Sequence, residues 1–513
     1  MSIDRRNLRR LILSICVAYT CLATVAHGRQ LGTINFPTSG AAAAQPAFLE
    51  GVKELYNFQY AEAAIAFQKA EQIDPNFAMA YWGEAMSYNH PLWGAVDIPS
   101  AEKALQKFAP TSEARIAKAK TEKEKAYVDA VNELIYTAGE KITRDIAYSK
   151  AMAKMYERWP DDHEVDVLYA LSLLGTVRPG DPGFRRQALA AAICLKVFQE
   201  NPNHPGAAHF IIHAFDDPDH AILALPAARA YAKIVPSAAH AVHMPSHIFL
   251  QLGMWEDVVK SNAASYQSSL ALIQRLHVPE GQDDFHALYW LEYGNLMLGN
   301  FDEAKKDLDL AKAAVERNLG NHIVFAGYQD MRARYILETG QWEKIWLETP
   351  RTTEAGTAMS AMNMADNDDW WMLVAGLSAI HFGELAIADQ SITRLRALRD
   401  SATMRTEPGK KFAITADELI AEVDLSRGQK DEALGVAKEA ADIDRTLAKS
   451  SGPPDVLKPG VEFYGDVLLA TGHAKEAVAI YEEQLLRTPN RRPAVLSLAR
   501  ATGAQVSMVS ERP

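Results

Sequence analysis

The chain has 513 residues, enough for several domains or one long repeat array. Apolar residues make up 48% of it, which excludes an intrinsically disordered chain. A net charge of −12, with no basic stripe set against it, argues against a nucleic-acid-binding protein.

The N-terminus departs from this pattern. Arg5, Arg6, Arg9 and Arg10 precede an apolar run, Leu11 to Ala26, and small residues follow it. A basic head, an apolar middle and a small-residue cleavage site are the order of a secretory signal. The run is shorter than the roughly 20 residues that span a bilayer, so cleavage is expected over anchoring. Residues 1–28 are read as a signal peptide, the mature chain as exported, periplasmic or secreted, without a transmembrane domain. Removing them takes away four Arg and one Asp and leaves a net charge of −15. Cys16 and Cys21 leave too, so Cys194 stands alone and no intramolecular disulfide is possible.

Downstream, apolar residues recur at helical spacing in paired blocks. Phe48 to Asn76 carries Gly51, Ala63, Phe67 and Pro75; Glu462 to Asn490 carries Gly465, Ala477, Tyr481 and Pro489. The internal offsets are identical in the two copies, with the aromatic one helical turn after the alanine and the proline two turns after the aromatic. The pattern resembles the tetratricopeptide repeat, a helix–turn–helix unit of about 34 residues. Small residues let two helices approach, the aromatic fills the space between them, and the proline ends the second helix. Weaker copies keep Gly299, Phe301, Ala304 and Ala311; Gly340 and Trp342; Gly428, Ala433, Ala437 and Ala440; and Ala224, Ala228 and Pro236. Cys194 falls at the packing-aromatic position and reads as core.

The resemblance covers most of residues 44–500. It implies an all-α fold, an α-solenoid wound as a right-handed superhelix of tetratricopeptide-like hairpins, its concave wall lined by first helices. No stretch alternates with period two, so almost no sheet is expected. Residues 95–128 read as charged helix, Arg178 to Gly183 as a loop, and Ile273 to Asp284 as an insertion. The expected divisions are a solenoid with a histidine-rich groove over 29–348, a linker or lid over 349–369, and a C-terminal solenoid over 370–513.

Seven of the 15 histidines fall in the short stretch from His204 to His247. His209 and His243 are one repeat period apart, as are His213 and His247, so each pair occupies equivalent places on adjacent units. Within a unit the pair is spaced i, i+4, on one helix face. Anchoring each unit on its packing residues places His209 and His213 at repeat positions 5 and 9. His240, His243 and His247 fall at 2, 5 and 9, and His286, Tyr289 and Tyr293 at 2, 5 and 9 of the next unit. The resemblance implies that these positions look into the concave groove, where His90 is also expected.

Neutral imidazole is the commonest metal ligand at neutral pH, and it suits zinc or copper. The candidate ligands are His209, His213, His243 and His247, with His204, His220, His240, His286, Asp216 and Asp217 as further members. Three histidines and an open position would be a catalytic pattern. Pro245 lies between His243 and His247, and Pro205 follows His204; each is best placed in a first helical turn. His209, His213 and His247 are therefore expected to converge before His243, with His240 and His220 last. Asp283, Asp284 and Glu292 are expected to add negative charge that favours a cation or a protonated histidine pair. Trp370, Trp371 and the stretch from Tyr289 to Tyr293 read as core or groove lining.

No phosphate-cradling glycine loop, GxSxG, HExxH or paired CxxC occurs. Three functions stay open. One is a groove that binds zinc or copper; one is a metal-independent scaffold gripping a peptide, protein or envelope component; one is a metal-dependent enzyme using the same histidines. The stretches FAMAYWGEAMSYNHPLW, HPGAAHFIIHAFDDPDH and HAVHMPSHIFLQLGMW also resemble a group of exported tetratricopeptide proteins, which supports the fold and the unity of the histidine region.

Overall fold

In a computed structural model, residues 30–178, 181, 183–347, 368–402 and 406–504 are described. The expected signal peptide and nearly all of the expected linker lie outside them. Within them the chain is a succession of helices, nearly every one packed against the next in chain order. Among the described residues the only strands are Asn89–His90 and Ala95–Val96, a short antiparallel pair. None of the described helices is long and apolar enough to cross a membrane.

The repeat signature becomes packing. Phe67 is fully buried, and a Cβ added at Gly51 or Gly83 would sit 2.8 or 2.3 Å from its ring. At the other end, a Cβ at Gly465 would lie 2.7 Å from Tyr481. The glycines are where backbones close on an aromatic. The chain is therefore a solenoid of tetratricopeptide-like hairpins. The buried Cys194 fills a core position, as its register requires.

Three consecutive hairpins carry the histidines. They are Pro205–Ala214 with Ala221–Ile234; Ala239–His243 and Pro245–Gln251 with Trp255–Leu276; and Asp283–Leu298 with Phe301–Arg317. The expected insertion is partly helix: Trp255–Leu276 runs into it, and only 277–282 form a loop. One apolar core runs from Leu31 to Tyr335, and a second takes over from Ala333 to Leu457.

The ends fold back on the middle. The indole Nε1 of Trp255 donates to the carbonyl of Asn490 at 2.8 Å, and helix Asp283–Leu298 packs against Arg492–Thr502. The buried Arg491 guanidinium pairs with Glu462 and Glu338, each at 2.7 Å, and donates to the Tyr293 hydroxyl at 3.1 Å.

Candidate metal centre

Six imidazoles gather into two triads among the described residues: His209, His213 and His240, and His243, His247 and His286. In the first, the Nε2 atoms of His213 and His240 lie 3.0 and 3.2 Å from Nε2 of His209. In the second, Nε2 of His247 and His286 lie 3.0 and 3.1 Å from Nε2 of His243. A tetrahedral ion bound at about 2.0–2.1 Å holds its nitrogens about 3.3 Å apart, so both spacings suit one.

Each triad is built the same way. Positions 5 and 9 of one repeat supply two rings, and position 2 of the next supplies the third. The first helix enters at Pro205, whose missing N–H costs nothing there, and presents His209 and His213 one turn apart. The second is interrupted at Pro245. Met244 keeps right-handed helical angles, φ −52° and ψ −36°, so the axis continues and His243 still meets His247.

The far side of three rings is fixed. Nδ1 of His209 donates to the Tyr56 carbonyl at 2.7 Å. Nδ1 of His243 donates to Oδ1 of Asn262 at 2.6 Å, and the amide is oriented because its Nδ2 donates to the Val258 carbonyl. Nδ1 of His247 meets Oδ2 of Asp216 at 2.7 Å. Partners of this kind set the tautomer of a metal-binding histidine. Each ring so held turns its Nε2 lone pair toward its triad.

Burial favours the neutral rings. It pushes His209 and His286 down to about 3, and it holds His213, His240 and His243 well below the ordinary value, with the neighbouring rings adding to the effect. Phe58, at the turn between helices Gln45–Tyr56 and Tyr60–Ile73, lies under the first triad with ring centres 4.4, 5.5 and 5.6 Å from those of His209, His213 and His240. Its φ of 55° is unusual for a side chain of this size. Trp290 packs on the second triad, 4.8 Å from His243 and 4.6 Å from His247.

The four principal candidates thus divide between two sites. His209 and His213 share the first with His240, and His243 and His247 share the second with His286, so 209, 213 and 247 do not meet at one point. Asp216 stands behind His247, outside both triads. His204 caps its helix, accepting from the Ala207 N–H at 3.1 Å, and its Nε2 is 3.4 Å from Glu164. His220 pairs with Asp217 at 2.8 Å and stacks on Phe184 at 3.9 Å; Asp217 also closes the local turn. His90 stacks on Tyr60 at 4.0 Å, also outside both triads. Glu292 is sealed in the core, and burial, then Asp307, push its carboxyl well above the usual range, so it does not add the charge expected of it.

The site also includes Tyr56, Phe58, Asn262 and Trp290, which the histidine periodicity does not single out. Of these only Trp290 carries a sequence signal, lying one turn beyond His286 at helical spacing. Five of the six histidines line a cavity of about 610 Å³. Another part of its wall is the stretch from Ser450 to Asp455, held by Gln251 donating to the Ser450 carbonyl and Arg334 donating to the Pro454 carbonyl.

No family model and no curated protein matches the chain. Solved structures resemble it at low similarity. The human IFIT1 dimer with m7Gppp-AAAA is 12% identical over 88% of this chain and 91% of that one, with a TM-score of 0.33. Yeast Tom70 is 12% identical over 90% and 95%, with a TM-score of 0.36. The APC/C hetero-tetramer Cut9-Hcn1 is 13% identical over 90% and 97%, with a TM-score of 0.31. At this similarity nothing that those proteins bind transfers to the present chain.

Proposed function

We propose that the protein is an exported solenoid that binds a transition metal, zinc or copper, through its two histidine triads. One observation carries the reading. His243 and His247 each spend their Nδ1 proton on an oxygen, of Asn262 and Asp216, and so face each other with Nε2 lone pairs 3.0 Å apart. Two lone pairs at that distance repel unless a cation lies between them. The basic head and apolar run of residues 5–26 support export.

The purified mature chain should carry transition metal in near-stoichiometric amount by elemental analysis. His213→Ala with His247→Ala removes a ligand from each triad and should abolish that metal while the helical circular dichroism survives. If the wild type holds no metal, and a chelator leaves its thermal unfolding unchanged, the scaffold reading replaces this one. The enzyme reading has its own support: three nitrogens leave an ion an open position, and both triads border the cavity.

A further inference from the structure

The six rings form one cluster. Across the triads, ring centres of His213 and His247 are 6.2 Å apart, and those of His240 and His243 are 6.4 Å apart. His213 and His240, which belong to the same triad, are themselves 6.4 Å apart. Stacking of adjacent repeats has set two equivalent sites side by side, and both border the same cavity.

The donor set has a consequence for charge. All six nitrogens are neutral when they bind a metal. Two divalent ions would bring four positive charges, and neither triad includes a carboxylate. Asp216 is spent on His247 and Asp455 on Lys411, while Asp283 and Asp330 line the cavity wall without joining a triad. Burying charge without a partner is costly. The missing anion has a way in, because the cavity reaches both triads.

We propose that the two triads act as one binuclear centre, and that the cavity admits a small oxyanion, carboxylate or phosphate, whose two oxygens bridge the ions. This rests on the metal-binding reading above. A pair of ions clamping one oxyanion is a recurrent arrangement in two-metal sites.

The test uses the full mature chain and Cu(II), read by electron paramagnetic resonance. Wild type should take two ions per chain. A half-field line from spin–spin interaction should appear only as the second equivalent binds. His240→Ala and His286→Ala each cripple one triad and should each show an isolated-ion spectrum. Inorganic phosphate or acetate should change the wild-type interaction at concentrations that leave both variants unaltered, and the more potent of the two identifies the head group preferred. A two-copper wild-type spectrum without a half-field line, equal to the sum of the two variants, overturns the binuclear centre and leaves metal binding standing. An interaction that neither anion alters overturns the bridging ligand. Binding of a single ion overturns the pair, and no metal at all by elemental analysis overturns both readings.

Discussion

Glu292 shows how far a side chain's meaning depends on burial. Neither carboxyl oxygen has a hydrogen-bond partner, and the residue is fully buried. Burial and then Asp307 raise its pKa, against the opposing charge of Arg334. Between the ordinary carboxylate value of about 4.3 and that raised value, the folded chain holds a proton that the unfolded chain gives up. Stability therefore falls as pH rises through this window. Glu292→Gln removes the loss. Its melting temperature should exceed that of wild type at pH 8, with the advantage shrinking toward pH 5; parallel pH profiles would refute the argument. At this scale the sequence was partly legible. Separation by one repeat period exposed His209, His213, His243 and His247, and register placed His240 and His286 at equivalent positions. Nothing local marked Tyr56 or Asn262, since a backbone carbonyl from a distant hairpin, and an amide on the opposing helix, leave no spacing to read.

Among the elements, the repeat was legible wherever a glycine meets an aromatic, because both residue types survive as a pattern. Gly83 lies outside the pattern shared by the two clearest copies, yet it makes the tightest approach to Phe67. Gly83→Ala should cost about 1–3 kcal/mol of stability, the usual range for overpacking a closed core. Denaturant unfolding measures it, and a neutral result would mean that the ring gives way. The break at Pro245 was legible as a residue but not as geometry. A proline ends a helix only if its neighbours leave helical angles, and Met244 does not. The pairing of triads was hidden for a related reason. Position 2 of a repeat belongs with positions 5 and 9 of the repeat before it, a relation that exists only between stacked helices.

At the level of the whole molecule, the C-terminal hairpins turn back on the centre through Arg491. Its guanidinium is buried with the carboxylates of Glu338 and Glu462. Arg491→Met leaves Glu462 without its ion-pair partner and Glu338 with only Arg334, at 3.8 Å, and removing one side of a buried pair costs about 3–5 kcal/mol. Limited proteolysis should then cut the C-terminal hairpins well before the histidine hairpins. Equal resistance in both regions would mean that Arg491 does not tie them together. No pattern in the chain announces this closure, because repeat periodicity describes neighbouring units and not helices brought together from distant parts of the array.

The closure bears on how the array comes apart. A linear stack of hairpins loosens at its tips, far from anything held in the middle. Here the floor beneath the first triad is Phe58, and part of the cavity wall is Ser450 to Asp455, which leads into the last three described helices. Loosening at either tip uncovers the same hollow. The two tips thus guard a single interior, and whatever lodges there is tied to the integrity of both.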